Sequence, residues 1–381
     1  MLTALNRVRI PPEDEALRAP VRAFLAQRLA GMPLALRARS WSGFDAEFSR
    51  DLAAKGWIGL TVPKTHGGGG RSQFARFVVI EELLAAGAPV GAHWIGERQC
   101  APLLLRYGTE AQRALVPKIC KAEAFFGIGM SEPETGSDLA SVRTRAERTA
   151  GGWLLNGSKI WTTHGWRSDY MIALARTSGT SEDRHQGLSQ LLIDLRAPGV
   201  LRRPIRDLSG DAHFTQIFFE NVELPEDALL GGEGRGWEQV NAELAFERSG
   251  PERIYSSMAL IDGWLSFLRE RGAPSDAEKE LAGRLMGAFV GLRELSLAIA
   301  GLLEQGESPM NEAAIVKDLG TAFEQWAPQA IADQLAAMER PAPPALLEAL
   351  DYVCAMSPAF SLRGGTREVI RGIIARGLGL R

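Results

Sequence analysis

The residue pattern changes period twice along this chain, and no other feature restricts its fold as strongly. Over residues 15–121, segments rich in Ala, Leu, Arg and Glu alternate with short Gly and Pro breaks. Apolar residues recur at helical spacing over 74–86. Between about 125 and 223 the pattern turns to short extended runs, at 170–175, 191–194 and 214–220, separated by Gly, Asp, Asn and Pro. After the glycine-rich stretch 231–236, helical patterns resume and continue to the end, interrupted by the Pro-rich 341–344. The order α, β, α defines an α+β chain with three expected domains: helical over 1–122, β over 123–234 and helical again over 235–381. Its 381 residues suit two or three domains at roughly 150 residues each. No internal repeat or low-complexity tract is visible, which argues against solenoids and tails.

Charge and composition remove several function classes. Forty-three Lys and Arg against 46 Asp and Glu leave a net charge of -3, so nothing draws the chain as a whole to nucleic acid or to an anionic membrane. The apolar runs are far shorter than the roughly 18 to 20 residues of a spanning helix, and residues 1–18 carry no apolar signal-peptide core. Cys100, Cys120 and Cys354 are odd in number and widely spaced, with no CxxC and no nearby His pair. Neither a disulfide frame nor a metal site is readable, and a cytoplasmic protein is the expectation.

Two glycine clusters invite a nucleotide reading that their chemistry refuses. His66-Gly67-Gly68-Gly69-Gly70 is not followed by Gly-Lys-Ser/Thr, so a tight turn between helices is expected instead of a phosphate cradle. Gly232, Gly234 and Gly236 miss the GxGxxG spacing and lie outside any strand-helix-strand unit, which disfavours a Rossmann dehydrogenase.

The informative segments are Phe126-Gly-Ile-Gly-Met-Ser-Glu-Pro-Glu-Thr-Gly-Ser-Asp138 and Gly152-Trp-Leu-Leu-Asn-Gly-Ser-Lys-Ile-Trp-Thr-Thr163. Together they resemble the central-domain signature of the acyl-CoA dehydrogenases. The resemblance continues through Leu224-Pro225, Gly364-Gly365-Thr366 and Leu378-Gly-Leu380 and so covers nearly the whole chain. It implies an N-terminal helical domain, a middle β-barrel-like domain and a C-terminal four-helix bundle. It also implies FAD as cofactor, an acyl-CoA substrate and an electron-transfer flavoprotein as electron acceptor. By resemblance, Trp161 and Thr163 contact the flavin, Met130 and Ser131 meet its isoalloxazine, Ile128 lines the same site and Ser137 contacts the acyl-CoA. The chemistry is coherent, because a flavin needs a broad apolar face against its ring and donors at its polar edge. A tryptophan with a hydroxyl two residues on can supply both from one strand.

In the family reaction a carboxylate removes the α proton of the thioester while the β hydrogen leaves as hydride to flavin N5. Many members carry that Glu immediately before the Gly-Thr near the C-terminus, where this chain has Gly364. Members acting on branched or long acyl chains place it in the first helix of the C-terminal domain, just before an Arg, and Glu247-Arg248 matches. Independently, Val240, Leu244 and Glu247 are spaced i, i+4, i+7, so this carboxylate belongs to the apolar stripe of its helix. Desolvation there would raise its pKa toward a general-base range, while Arg248 could hold it ionised. Arg248 is counted with the substrate-binding residues, and a structural Glu-Arg pair is the competing reading. Gly250-Pro251 is expected to interrupt the helix. By resemblance the Gly364 N–H polarises the thioester carbonyl, and Thr366 lies near the flavin and caps the final helix.

Two family segments that hold a neighbouring subunit's FAD are not recognisable. Arg-x-x-Phe-Gly survives only as Arg269-Glu-Arg-Gly-Ala-Pro274, and nothing around 325–338 resembles Gln-x-x-Gly-Gly-x-Gly. This pattern is similar to relatives that work as two-gene heterotetramers. A dimer or tetramer is expected, homomeric or completed by a paralogous subunit. The alternative to an enzyme in its own right is a non-catalytic or flavin-sharing subunit of a heteromeric acyl-CoA dehydrogenase. An oxidase passing electrons to oxygen is a third reading.

Overall fold

The computed structural model describes residues 5–248, 250–338 and 341–380, with backbone only for residues 242–247. The chain forms two compact units that interleave in sequence. One comprises Met1–Gly43, Arg71–Val90 and Glu247–Arg381, the other Phe44–Gly70 and Gly91–Phe246.

The first unit is helical. Its long helices are Gln73–Ala85, Met258–Arg271, Asp276–Glu304, Met310–Ala336 and Pro344–Phe360, followed by Arg367–Gly377. Local chemistry sets their starts. Ser72 accepts from the Ala75 N–H, Ser275 and Glu278 form a reciprocal capping box, and Thr366 accepts from the Val369 N–H, each satisfying donors that a helix start leaves unpaired. Phe74, Phe77, Leu297 and Ala300 build a shared core, which is why a segment distant in sequence joins the C-terminal helices. A buried charge network reinforces this junction. Glu81 accepts from Arg18 at 2.9 Å, from Arg293 at 2.5 and 3.0 Å and from the Tyr255 hydroxyl at 2.5 Å. Asp276–Glu304 also carries a window of mean hydropathy 1.5, long and apolar enough to cross a membrane, although 44% of that window is buried. A search for uninterrupted apolar runs passes over it because charged residues such as Arg284 and Arg293 punctuate the helix.

The second unit is built on one sheet. Its strands are β1 (Phe126–Gly129), β2 (Arg145–Thr149), β3 (Gly152–Thr163), β4 (Tyr170–Arg176), β5 (Leu188–Asp194), β6 (Val200–Ile205), β7 (Phe214–Pro225) and β8 (Leu229–Leu230). The order is β6-β7-β3-β2-β4-β5-β8, with β1 pairing parallel to β4. The domain expected to be barrel-like is thus a single sheet whose path runs from β6 to β8. One core gathers Trp153, Leu155, Met171, Ile193, Ile217 and Phe219. Another gathers Leu103, Leu104 and Ile119 from helical segments with Phe126 and Ile172 from the sheet. The glycines after His66 form the expected turn: Gly67 has φ +80°, and the N–H groups of Gly69 and Gly70 return to the Gly59 and Val62 carbonyls.

Candidate active site

The predicted site residues fall into two groups, one in each unit. In the sheet unit the group is organised by an irregularity in β3. This strand pairs with β7 as far as Lys159, with one register shift between Leu155 and Gly157, and pairing resumes at Thr162, the residues between Lys159 and Thr162 being displaced from the ladder. Trp161 sits in this bulge at φ +62°, a left-handed conformation that costs a non-glycine residue roughly 1–2 kcal/mol. The consequence is an indole 54% exposed, its edge supported by the Phe214 ring at 5.7 Å and 82°. Backbone strain that holds a large aromatic ring toward solvent is a mark of a binding surface.

The turn after β1 lies beside this bulge, with the Ile160 N–H donating to the Ser131 carbonyl at 2.9 Å. The Met130–Ser131 turn is thereby brought beside Trp161 and Thr163: the exposed indole offers one broad apolar face, Ser131 and Thr163 are half-buried hydroxyl residues, and the Met130 side chain packs against the cluster of Val142, Leu174, Leu188 and Val240. These residues fit a planar aromatic group with a polar edge. Ile128 is placed differently. It pairs with Ile172 and packs against the cluster containing Leu103 and Ile119. Ser137 stands exposed on the loop beyond Thr135, next to Asp138, whose carboxyl is held at about 2 by hydrogen bonds from Arg184 and Ser141.

Two residues of this group were passed over in the sequence. Lys159 is fully buried, and its Nζ donates to the Met130 carbonyl at 3.0 Å and to Glu132 at 2.8 Å. Burial pushes its pKa down to about 8, against the opposing pull of Glu132. Glu132 itself is pushed up by burial but more than compensated by Lys159 and by the N–H groups of Arg143 and Thr144, so its carboxyl lies below the ordinary value. The signal was available, because Lys159 is in phase with the inward-facing Trp153 and Leu155.

In the helical unit the group centres on Gly364 and Gly365, at φ +68° and +103°, where side chains would be strained. Buried Arg248 donates from Nε to the Gly364 carbonyl at 3.0 Å. Fully buried Lys317 donates to the Gly365 carbonyl at 2.5 Å and to the Ser361 carbonyl at 3.1 Å. Arg363 is fixed by Glu324 at 2.8 Å and lies over the Trp41 and Phe360 rings. Peptide planarity carries these bonds onward: Arg248 orients the Gly365 N–H and Lys317 the Thr366 N–H, leaving the Gly364 N–H separated from a fixed plane by the two rotations of Gly364 alone. Glu247 closes the helix Gly236–Glu247, and its side chain, like that of Leu244, lies outside the described residues. Val240 of the same stripe is buried, and Pro251–Arg253 is a separate short turn, as Gly250-Pro251 suggested.

A helical unit joined in one chain to a small sheet unit that presents an exposed tryptophan is an architecture found in other proteins. Two family models identify it: the acyl-CoA dehydrogenase N-terminal domain matches residues 11–123 and the middle domain matches residues 127–222. The chain belongs to the acyl-CoA dehydrogenase family. It is 33% identical over 380 residues to acyl-CoA dehydrogenase IpdE1 of Mycobacterium tuberculosis, covering 96% of this chain and 97% of that protein. Among solved structures it is similar to the Tcur3481-Tcur3483 steroid ACAD, with TM-score 0.86, 26% identity and complete coverage of both chains. The ChsE4-ChsE5 complex of Mycobacterium tuberculosis aligns at TM-score 0.84 and 28% identity, covering 99% of this chain and 100% of that one.

Proposed function

We propose that this chain is an FAD-dependent acyl-CoA dehydrogenase that introduces a 2,3 double bond into a bulky acyl-CoA thioester and works beside a paralogous subunit. The observation that carries the proposal is Trp161, strained and half exposed, beside Met130, Ser131 and Thr163. Bound FAD would supply the acceptor for the β hydride. In the sheet unit Trp161 would offer the apolar face against its ring and Ser131 and Thr163 polar groups, with Met130 and Ile128 contributing as in the family pattern; in the helical unit Thr366 would contribute a hydroxyl. Glu247 would take the α proton. Arg248 would keep that carboxylate ionised while steadying the Gly364 loop, and the Gly364 N–H would polarise the thioester carbonyl. Ser137 would contact the acyl-CoA. Absence of a side chain at Gly364 leaves room for a bulky acyl group, in keeping with the steroid ACAD among the structural relatives. Electrons would pass on to an electron-transfer flavoprotein in the cytoplasm. The three domains are proposed as 1–122, 123–234 and 235–381.

The partner subunit has its own support. Relatives of similar fold carry the names of two-component assemblies. Arg271, in the degenerate Arg-x-x-Phe-Gly segment, is closed on Glu278 at 2.6 Å, and Gln325 on the Ser357 carbonyl at 3.1 Å. The helix Asp276–Glu304 exposes Met286 and Val290, and a Cβ added at Gly283, Gly287 or Gly291 would meet nothing within 4 Å among the described residues. A face that open and apolar suits a helix from another subunit. Purification alone and with a paralogue tests the proposal. Less than one flavin per chain alone, rising on co-expression and bleached by acyl-CoA, is expected. One tightly held FAD per chain in an active homomer would refute the partner, and a colourless, inert protein in both preparations would refute the enzyme.

A further inference from the structure

We propose that Lys159, with Glu132, is a positioning residue that sets the spacing between the Trp161 bulge and the Met130–Ser131 turn; the inference rests on the proposal that these two segments receive FAD. Lys159 is the last residue that β3 pairs with β7 before the bulge, so the backbone at Ile160 and Trp161 must take its placement from elsewhere. Two ties reach it from the turn after β1. One is the Ile160 N–H to the Ser131 carbonyl at 2.9 Å. The other is Lys159 itself, whose ammonium bridges the residues on either side of Ser131, the Met130 carbonyl at 3.0 Å and the Glu132 carboxylate at 2.8 Å.

The far end of the bridge is equally fixed. Glu132 accepts the N–H of Arg143 at 2.7 Å and of Thr144 at 2.8 Å, and the Thr144 hydroxyl returns to the Ser158 carbonyl at 3.1 Å, next to Lys159. A closed circuit therefore runs from β3 to the turn, on to the segment before β2, and back to β3. Glycine makes space for it. A Cβ at Gly129 would stand 3.1 Å from Lys159 Cγ and 1.9 Å from Met171 Cε, and a Cβ at Gly157 would strike the Thr144 backbone at 2.7 Å.

Stability alone is a poor reason for this arrangement. A fully buried ammonium and a carboxylate each lose their hydration, and well-packed apolar residues of similar volume often serve as well or better. What apolar residues would not supply is direction: three donors on one nitrogen, aimed at two oxygens that flank Ser131. The pair thus acts through the groups it holds and touches neither substrate nor flavin.

The test compares the flavin-loaded protein as isolated with Lys159→Met and with the charge-neutral double variant Lys159→Met/Glu132→Gln, which leaves no unpaired charge inside. Folding is followed by far-ultraviolet circular dichroism, and the flavin by its dissociation constant and its visible circular dichroism, which reports the surroundings of the ring. The expected result is a folded double variant that holds FAD at least about 10-fold more weakly, the effect of roughly one misdirected hydrogen bond, with altered visible bands. Unchanged affinity and unchanged bands would overturn the inference. It is overturned as well if neither variant folds, because the pair would then belong to the stability of the sheet. Wild-type protein that takes up no FAD would instead sink the flavin reading itself, and the wild-type control separates that failure from the other two.

Discussion

Replacing Lys317 by Met probes the Gly364 loop without touching it. The substitution nearly preserves length and removes the ammonium that donates to the Gly365 carbonyl at 2.5 Å and to Ser361, the residue ending the helix Pro344–Phe360, at 3.1 Å. Hydrogen bonds to a charged group contribute about 1.5–3 kcal/mol each, and a carbonyl left buried without a partner costs about 1–3 kcal/mol. Against this, the variant no longer buries a charge, a relief of several kcal/mol. The cation also faces the negative end of a helix, which adds up to about 1 kcal/mol to what is lost. The balance is a destabilisation of about 2–4 kcal/mol. With a urea dependence near 3 kcal/mol per molar, the unfolding midpoint should fall by roughly 1 M. Tryptophan fluorescence follows the transition, and hydrogen exchange at the start of the helix Arg367–Gly377 reads the loop locally, where protection should drop. An unaltered midpoint together with unaltered exchange would refute the claim that Lys317 holds this loop.

Trp161→Gly should separate binding from folding. Relief of the left-handed conformation offsets the lost contact with Phe214, so stability should stay within about 1 kcal/mol of wild type, while retention of FAD on gel filtration falls sharply. Equal flavin content would remove the indole from the site. Glu81 governs acid sensitivity. Burial pushes its carboxyl up, but Arg293, Tyr255 and Arg18 outweigh this and hold it below 4.5. The stabilisation is therefore complete above the unfolded value of 4.5 and is lost as pH falls through the lower folded value. Urea midpoints across that acid window should decline more steeply for wild type than for Glu81→Gln, and parallel curves would contradict the assignment.

Much of the architecture was legible because it is written in local periodicity. The change to short extended runs after residue 125 locates the sheet, and the apolar spacing over 74–86 corresponds to the helix Gln73–Ala85. Thr366 read as a helix cap, and it is one. The interleaving of the two units was not legible. Nothing near residues 71–90 announces that Phe74 and Phe77 will pack with Leu297 and Ala300, because the cause is a long-range core. The Trp161 bulge was hidden for another reason: Lys-Ile-Trp-Thr-Thr reads as unbroken strand, and only pairing with β7 on one side and the β1 turn on the other displaces the tryptophan. Lys159 was legible in principle, as a cation in the buried phase of an alternating strand. The roles of Arg248 and Lys317 on the Gly364–Gly365 carbonyls depend on a loop about 116 and 48 residues away, a separation no motif spans.

The central claim is that this chain carries out acyl-CoA dehydrogenation with Glu247 as the base, and rapid anaerobic mixing tests it most directly. Flavin-loaded wild type and Glu247→Gln are each mixed with a bulky acyl-CoA thioester, and loss of the visible flavin band is timed. Wild type should bleach, and Glu247→Gln should bind flavin and thioester normally but bleach at least about 100-fold more slowly, the scale of a lost general base. Equal bleaching rates in the two proteins would contradict the account.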